Sequence, residues 1–377
     1  MNILLVTDAN LERGGITIFM LQWVCGIRNT YTNSDICVYF RDHIEDKELE
    51  KRFKDEGVKI YIGNIPRKVK FGVPKARNKV RDDISKIIEN ESIDVIHVNS
   101  GVFGFNLDLL SLAEKMGVKI RISHSHGAYP ERKRDKFVHF FVRQGINYYA
   151  TAYAACSKNA GKYLFGQKGI KSRKWHFIPN SIDVRKFAFN EEKRVDSRNS
   201  LNLADSELLL GAVGHLCQGK NHIFLLDVLH DLLARDVKAK LIILGKGDME
   251  NRLRERGKEL GIENELILYG PSDDVPRWLS AMDIYLMPSA SEGLGISAVE
   301  AQANGLPCLL SDRFPEEVVM TENVWCLPID KGTDEWVDVL THLSKRPMIN
   351  RELGAQSVID AGFDVAQISK HIRALYK

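Results

Sequence analysis

The sequence lacks the cysteine patterns of disulfide-stabilised and zinc-binding proteins. Its six cysteines are scattered along 377 residues, with no Cys-x-x-Cys pair and no cluster of histidines beside them. Cysteines arranged in this way are typical of small buried side chains in a reducing compartment. We therefore expect neither a disulfide framework nor a structural zinc site.

Long apolar runs are also absent. No stretch is long enough to span a bilayer, and the first ten residues, MNILLVTDAN, lack the basic segment and the longer apolar segment of a signal peptide. These two features predict a cytoplasmic protein. A chain of 377 residues is too long for one ordinary core, so two domains are the default expectation.

A third absence concerns dinucleotide cofactors. Their binding sites need Gly-x-Gly-x-x-Gly after a strand and an acidic residue about 20 positions later. The sequence offers only Gly14-Gly15 after its first apolar run, and a Gly-Lys-Gly at 245–247 that lacks the third glycine. The pattern disfavours a dehydrogenase, and no cofactor is predicted.

Short apolar runs alternate with helical patterns along most of the chain. This alternation predicts an α/β fold with two doubly wound, mostly parallel sheets, in domains 1–187 and 188–377. Ligands of such sheets bind at the carboxyl ends of the strands, so we expect a site in the cleft between the domains. We expect the two domains to be joined near residues 180–205, beside a polar, charged stretch at 190–206, and the last helical stretch, 365–376, could pack back on the first domain. The predicted strands are 2–7, 36–40, 58–62, 95–98, 118–123 and 153–155 in the first domain, and 208–213, 239–244, 266–269, 284–287 and 307–311 in the second.

The most informative stretch is 288–312, PSASEGLGISAVEAQANGLPCLLSD. A predicted strand leads into a loop of small residues and then into a helix, whose first amides have no partner within the helix. Such a helix N-terminus suits a diphosphate. Glu292 lies just before the helix and Glu300 lies inside it, so two carboxylates flank the predicted diphosphate site. One could hold sugar hydroxyls and the other ribose hydroxyls.

Glu292 and Glu300, with seven residues between them in PSxxEGxGxxxxEAxxxGLP, resemble the Glu-x7-Glu signature of retaining glycosyltransferase family 4, the group 1 glycosyltransferases. The segment EAQANGLPCLLSD is similar to the corresponding segment in the exopolysaccharide and capsule branch of that family. The resemblance implies the GT-B fold, two Rossmann-like domains facing a central cleft, with an N-terminal acceptor-binding domain and a C-terminal donor-binding domain. Four further motifs carry it: ACSKNAGKYLFG at 155–166, IPNSID at 178–183, VGHLCQGKNHIFLLD at 213–227 and LGKGDMENRL at 244–253.

The resemblance also implies a role for each site residue. Glu292 would contact the donor sugar and stabilise positive charge at its anomeric carbon, Glu300 would bind the ribose hydroxyls, and Lys220 would bind the diphosphate. Backbone amides at the helix start would also receive the diphosphate: those of Leu294, Gly295, Ile296 and Ser297.

Three further positions follow from the same alignment. The family's VGR motif, with a second phosphate-binding arginine, reads VGH here, so His215 stands in that place and could donate one hydrogen bond. In the first domain, the family's Thr-x-His pattern selects His126 as a donor-contacting, catalytic histidine. His124 is expected to be structural and to point to the other side of the strand. Gly15, after the first strand, resembles a loop that approaches the phosphate or acceptor, although an ordinary strand–helix turn explains it almost as well.

The implied activity is that of a retaining hexosyltransferase-type enzyme. It would move a sugar from a nucleotide-diphosphate donor, preferably a UDP-sugar, to a glycan or lipid-linked acceptor of surface polysaccharide synthesis. GT-A transferases hold a divalent metal with Asp-x-Asp, which this sequence lacks. Lys220 and the helix amides would replace the metal, and none is predicted. Two alternatives remain: a non-catalytic partner subunit, which His215 favours, and a GT-B nucleotide-sugar epimerase, which the Glu-x7-Glu block does not fit.

The charge of the sequence is unevenly distributed. Residues 1–187 carry +12 and the remainder −9, for a total of +3. The basic excess concentrates in 67–81 and in 132–143, where Phe137, Phe140 and Phe141 also lie. Basic residues beside exposed aromatic side chains suit an anionic lipid surface, which would make this a peripheral membrane enzyme. Equally, the phenylalanines could be core residues of an ordinary helix. No nucleic-acid partner is predicted, because a helix-turn-helix and an aromatic stacking platform are both missing.

Overall fold

The structure is a computed structural model that describes residues 1–12, 14–66, 69, 73–127, 135–204, 206–345 and 350–377, without the side chains of 135–137. The chain forms two compact units. Unit 1 comprises residues 1–181 and 365–377, and unit 2 comprises residues 182–364. Unit 2 thus begins slightly before the domain boundary that the sequence suggested after residue 187, and the final helical segment belongs to unit 1.

Unit 1 is built on seven parallel strands that alternate with helices. The strand order is β3-β2-β1-β4-β5-β6-β7, so the chain runs outward from β1 in one direction and then in the other. The strands are β1 (Asn2–Thr7), β2 (Asp35–Phe40), β3 (Lys59–Ile62), β4 (Val95–Asn99), β5 (Ile120–Ser125), β6 (Ala152–Ala155) and β7 (Trp175–Phe177). The helices are α1 (Gly15–Thr30), α2 (Lys47–Asp55), α3 (Pro74–Asn90), α4 (Phe103–Lys115), α5 (Asp135–Tyr149), α6 (Lys158–Gly169) and, at the chain end, α15 (Ile368–Leu375).

The chain end joins the core of unit 1 through α15. Ile368 and Ile372 of α15 are buried in the same apolar cluster as Trp23 of α1. A Cβ atom on Gly26 of α1 would lie 2.5 Å from Cγ2 of Ile368. Glycine at this position is therefore what allows the two helices to approach so closely.

Unit 2 repeats the architecture with six parallel strands in the order β10-β9-β8-β11-β12-β13. The strands are β8 (Leu208–Val213), β9 (Ala239–Leu244), β10 (Leu266–Gly270), β11 (Ile284–Met287), β12 (Cys308–Ser311) and β13 (Val324–Leu327). The helices are α7 (Val184–Phe187), α8 (Glu191–Ser200), α9 (His222–Leu233), α10 (Glu250–Leu260), α11 (Val275–Ala281), α12 (Ile296–Ala303), α13 (Asp334–Leu343) and α14 (Leu353–Asp360).

The polar, charged stretch 190–206 belongs to unit 2. Most of it is the helix α8, which Asn190 caps by accepting from the amide of Lys193 at 2.8 Å. Arg194 and Arg198 of α8 both donate to the carboxylate of Asp283, at 2.6 and 2.9 Å. These two arginines of the charged stretch are therefore ion-paired within unit 2.

Candidate active site

Two loops of unit 2 meet at the carboxyl ends of β8 and β11. The amide of Ala290 donates to the carbonyl of Gly219 at 2.9 Å, which ties the loop after β11 to the loop after β8. The hydroxyl of Ser311, at the end of β12, donates to the carbonyl of Ser289 at 2.6 Å. These bonds fix the backbone on both sides of the predicted diphosphate site.

Lys220 and Glu292 form an ion pair across these loops. The Nζ atom of Lys220 lies 2.5 Å from Oε1 of Glu292, and the two side chains are 23% and 10% exposed. Lys220 ends a short 3₁₀ turn just before α9, where the helix dipole disfavours a cation. The carboxylate of Glu292 offsets that cost. Sequence reasoning selected both residues but did not predict that they contact each other.

The N-terminus of α12 has the geometry expected of an anion site. Gly295, its N-cap, has a φ of +84°, and a Cβ atom there would lie 2.4 Å from the ring of Phe314. Both facts require glycine at this position. The amides of Ile296 and Ser297 open the helix and have no carbonyl within it to bond. The hydroxyl of Tyr285 donates to Oγ of Ser297 at 2.8 Å and orients that side chain.

Glu300 lies one turn further along α12 and is half-buried. Burial raises the pKa of its carboxyl group to about 8, and the opposing charge of Lys186 offsets only part of that effect. The Glu300 carboxyl group is therefore largely protonated near neutral pH. Leu294, by contrast, has a buried side chain, so only its backbone is available to a ligand.

His215 follows β8 and is exposed, and its loop packs against the Gly-Lys-Gly segment at 245–247. The amide of Leu216 donates to the carbonyl of Lys246 at 2.9 Å. A Cβ atom on Gly245 would lie 1.9 Å from the carbonyl oxygen of Gly214. These glycines therefore permit two backbones to touch, which explains them without a dinucleotide.

His126 of unit 1 lies just beyond β5, between two asparagines. Its Nδ1 is 3.1 Å from Oδ1 of Asn180, and its Nε2 is 3.0 Å from Oδ1 of Asn99. Burial lowers the pKa of His126 to about 4, so the ring is neutral at physiological pH. A neutral imidazole donates from one nitrogen only, so one of the two amides presents its nitrogen instead.

The expectation that His124 points away from His126 is wrong. The two rings stack with centroids 4.1 Å apart and planes at 23°. The reason is that residues two positions apart on a strand share a face. His124 is fully buried, as a structural residue would be, and its Nδ1 lies 3.1 Å from Nε2 of the equally buried His97.

Gly14 and Gly15 mark the start of α1. Gly15 is the first helical residue, and Gly14 is the N-cap in an extended conformation. A Cβ atom on Gly14 would meet nothing within 4 Å. The space beside this helix start is open, and no packing in unit 1 requires a glycine at Gly14.

Sequence reasoning missed the asparagines that hold His126. Asn180 lies in the IPNSID motif, which was used only as a marker of resemblance. Asn99 ends β4, the neighbour of β5 in the sheet, with Asn99 paired to His124 in register. A polar residue at the end of a strand adjacent to the histidine strand was the available signal.

Most of the described basic residues in the stretch 67–81 are paired with acidic residues of unit 1. Arg77 and Arg81 both donate to the buried Asp108, each at 2.6 Å. Lys79 lies 3.5 Å from Asp83. Arg67, Lys68 and Lys70 lie outside the described residues. These pairs explain the arginines without an external partner.

The second basic stretch, 132–143, differs from the first because it lies beside exposed apolar side chains. Residues 132–134 and the side chains of Lys136 and Phe137 are outside the description. Arg143 donates to the carbonyl of Tyr163 and lies over the ring of Phe103. On α5, Val138, Phe140 and Phe141 are 59%, 54% and 57% exposed, so the two described phenylalanines are not core residues. Among the described helices, none is both long and apolar enough to cross a bilayer.

Two parallel-sheet Rossmann-like units, together with the arrangement at α12, define the class of nucleotide-dependent transferases with the GT-B α/β fold. Two family profiles cover most of the chain: Glycosyltransferase Family 4 matches residues 14–186, and Glycosyl transferases group 1 matches residues 193–357. The chain belongs to the family 4, or group 1, glycosyltransferases and is an enzyme of the hexosyltransferase type.

Curated relatives agree with this family. The putative glycosyltransferase EpsF of Bacillus subtilis (strain 168) is 28% identical over 76% of each chain. A UDP-Gal:alpha-D-GlcNAc-diphosphoundecaprenol alpha-1,3-galactosyltransferase of Escherichia coli is 24% identical over 77% of each chain. Alr3699/HepE of Anabaena, solved in complex with UDP, is similar in fold, with a TM-score of 0.79 at 16% identity over 99% of each chain.

Proposed function

We propose that the chain is a retaining glycosyltransferase that moves a sugar from a UDP-sugar to a lipid-linked or glycan acceptor in surface polysaccharide synthesis. The observation that carries the proposal is the Lys220–Glu292 ion pair beside the N-terminus of α12. A cation, a carboxylate and free helix amides at one place match the parts of a nucleotide sugar: its diphosphate and its sugar hydroxyls.

Each predicted residue receives a role in this proposal. Lys220 and the amides at the start of α12 bind the diphosphate, and His215 adds one hydrogen bond to it. Glu300 binds the ribose hydroxyls. On unit 1, His126 acts on the donor sugar, and Gly15 opens a helix start that a phosphate or acceptor can approach.

Donor binding would change the partner of Lys220. In the free protein its charge is paired with Glu292. A diphosphate carries more negative charge and more acceptor oxygens than a carboxylate, so it would compete for the ammonium group. Glu292 is then released to bind the donor sugar and to stabilise positive charge at the anomeric carbon. The pair is thus a preformed site that donor binding rearranges.

The chemistry we propose is a same-face displacement. The bond between the anomeric carbon and the phosphate oxygen breaks, and the phosphate leaves with its electron pair. The acceptor oxygen bonds to the anomeric carbon on the same face and gives its proton to the leaving phosphate. Lys220 and the α12 amides stabilise the charge on the phosphate, which is the role that a metal plays in other transferases. Activity is expected to survive EDTA.

The choice of UDP and of a polyprenyl-linked acceptor rests on relatives. HepE is described in complex with UDP and the E. coli relative is named for a UDP-Gal donor and a diphosphoundecaprenol acceptor. A direct test is to incubate the protein with GlcNAc-diphosphoundecaprenol and UDP-glucose or UDP-galactose, with and without EDTA. We expect UDP release and a product with an α linkage from these α-linked donors. A β-linked product would overturn retention, and loss of activity in EDTA that Mg²⁺ restores would overturn the metal-free site.

The exposed face of α5, formed by Val138, Phe140 and Phe141, supports a membrane-surface location. Apolar side chains of this size are expected to insert into the headgroup region of a bilayer that carries a lipid-linked acceptor. The test is sedimentation with vesicles of phosphatidylcholine alone or mixed with phosphatidylglycerol. Phe140→Ser with Phe141→Ser should reduce vesicle binding, whereas exchanging the half-exposed Tyr269 of unit 2 for serine should not. Equal recovery of the wild type in the soluble fraction with every vesicle would overturn the location and leave the transferase proposal intact.

A further inference from the structure

Tyr376, the residue after α15, lies in the core of unit 1 with its hydroxyl between two rings. Nε1 of Trp23 donates to the Tyr376 oxygen at 2.8 Å, and Nδ1 of His97 lies 3.1 Å from the same oxygen. All three side chains are buried. The proposed transferase chemistry assigns no role to any of them.

The chemistry of these groups gives the hydrogen bonds one direction. An indole N–H can only donate, so the Tyr376 oxygen accepts from Trp23. Among the hydrogen bonds described for Tyr376, Nδ1 of His97 is the acceptor that its own proton can reach, and this pairing satisfies the buried hydroxyl. Nδ1 of His97 is therefore an acceptor. Burial lowers the pKa of His97 to about 3, so the ring is neutral and carries its single proton on Nε2.

The contact between His97 and His124 has the same donor-to-acceptor direction. Nε2 of His97, which carries the proton, faces Nδ1 of His124 at 3.1 Å, so Nδ1 of His124 accepts. Burial also holds the pKa of His124 well below its usual value, and this neutral ring must carry its proton on Nε2. The hydroxyl of Tyr376 thus determines the proton positions on two histidines in succession.

These two histidines contact the surroundings of His126 in two ways. The ring of His124 stacks on that of His126 with centroids 4.1 Å apart. The side-chain amide of Asn99 donates to the backbone carbonyl of His97 at 3.1 Å, which leaves its Oδ1 to accept from Nε2 of His126 at 3.0 Å. His126 is therefore held by an asparagine anchored at His97 and by a ring whose tautomer Tyr376 selects.

We propose that Tyr376 is a positioning residue for His126, because its hydroxyl, held by Trp23, fixes the proton pattern of His97 and His124 beneath the His126 ring. Without the hydroxyl, the protons on both rings can move to Nδ1, and the dipole of the His124 ring then reverses against its stacked neighbour. The inference rests on the proposed role of His126 in the transferase reaction.

The test is Tyr376→Phe, which removes one oxygen and keeps the ring. Tyr153→Phe is the matched control, because Tyr153 is a buried tyrosine of unit 1 whose hydroxyl donates to the carbonyl of Asn147 at 2.6 Å, away from the histidines. Nitrogen NMR of protein labelled with ¹⁵N-histidine distinguishes protonated from bare ring nitrogens. His97→Gln and His124→Gln assign the two signals.

We expect the wild type to carry protons on Nε2 of both histidines, and Tyr376→Phe to shift at least one ring toward Nδ1. Hydrolysis of UDP-glucose to UDP, which needs no acceptor, should show kcat reduced about tenfold and KM unchanged, the effect of one lost hydrogen bond. Tyr153→Phe should keep the wild-type tautomers and a kcat within about twofold. Melting temperatures of both variants show that each is folded.

The inference would be overturned by Nδ1 protons in the wild type, by unchanged tautomers in Tyr376→Phe, or by an equal loss of kcat in Tyr153→Phe. A tautomer shift with wild-type kcat would overturn the positioning role. The His126→Ala variant separates this inference from the proposed function. If His126→Ala keeps wild-type turnover, the assignment of His126 fails, and the NMR result alone then decides whether Tyr376 sets the proton positions.

Discussion

The two units share one architecture but differ in the ionisable groups that they hold near the carboxyl ends of their strands. In unit 1, the pKa values of three neighbouring histidines, His97, His124 and His126, are lowered, whereas unit 2 holds one histidine with a lowered pKa, His222, and one carboxyl group, that of Glu300, with a pKa raised to about 8. Burial favours the neutral form in both cases, which moves the pKa of a base down and that of an acid up. Acid therefore destabilises unit 1 more than unit 2, whereas a rise in pH acts on Glu300 of unit 2.

The sign of each response follows from proton binding. For the histidines, the folded pKa lies below the unfolded value of 6.5, so stability is complete above that pH and is lost as pH falls toward 4 and 3. For Glu300, the folded pKa lies above the unfolded value of 4.5, so stability is complete below pH 4.5 and is lost as pH rises through about 8.

The largest expected effect is acid unfolding of unit 1. Between pH 7 and pH 4, His97 and His126 together should cost on the order of 5 kcal/mol, comparable with the whole stability of many domains. His176 and His371, whose pKa values burial also lowers, add to the loss, whereas the corresponding loss in unit 2 comes from His222. Hydrogen exchange read by mass spectrometry should show β4 and β5 losing protection before β8 and β11. His124→Phe should flatten this pH dependence, and exchange of the exposed His230 should not. Earlier opening of unit 2 would contradict the comparison.

The next effect tests the ion pair of unit 2. Glu292→Gln keeps the shape of the side chain but removes the charge that the proposal uses in the transition state. Turnover of UDP-glucose should fall about 100-fold, while UDP should bind more tightly, because the ammonium group of Lys220 no longer has a competing carboxylate. Glu316→Gln, at an exposed glutamate of the same unit, is the control. A wild-type kcat in Glu292→Gln would remove this residue from the reaction.

The sequence predicted most of the parallel strands because buried parallel strands are continuous apolar runs. The strand β7 was missed because it has three residues, is partly exposed and is interrupted by His176, whereas β13 is a four-residue apolar run that was overlooked. The helix α8 was missed because its arginines resemble a solvated linker, and their partner Asp283 lies far along the chain.

In the candidate site, as in the fold, the sequence predicted local features but not the contacts between distant residues. Residues of one motif, Glu292 to Glu300, could be placed because a helix N-terminus is local geometry. The Lys220–Glu292 contact joins residues that are distant in sequence, and a single sequence carries no signal for such a pair. For Asn99 beside His126, the only signal was a polar residue at the end of the neighbouring strand. The His124 error had another source, because strand alternation puts positions 124 and 126 on the same face.

A smaller effect is expected at Glu300. Glu300→Ala removes hydrogen bonds to ribose that are present in both the ground state and the transition state, so the KM for UDP-glucose should rise about tenfold with kcat nearly unchanged. Glu300→Gln cannot ionise and should abolish the loss of unit 2 stability between pH 4.5 and 8. Denaturant titrations at several pH values measure this slope. Unchanged donor affinity in Glu300→Ala would place the residue outside the donor site.

The smallest effect concerns His215, where the sequence departs from the family pattern. The His215 side chain is exposed, in the loop after β8 that also carries Lys220. An arginine there has room to extend without displacing core residues. A guanidinium group adds a permanent charge and two parallel donors, which imidazole lacks. His215→Arg should tighten UDP binding about threefold, since the new contact is screened by solvent. Calorimetric titration with UDP measures the change in affinity. Lys220→Ala, which should weaken UDP binding, is the reference for a change in the opposite direction. If arginine abolishes UDP binding while the melting temperature stays unchanged, His215 faces something other than the diphosphate. That outcome would favour the alternative in which this unit binds a ligand without transferring its sugar.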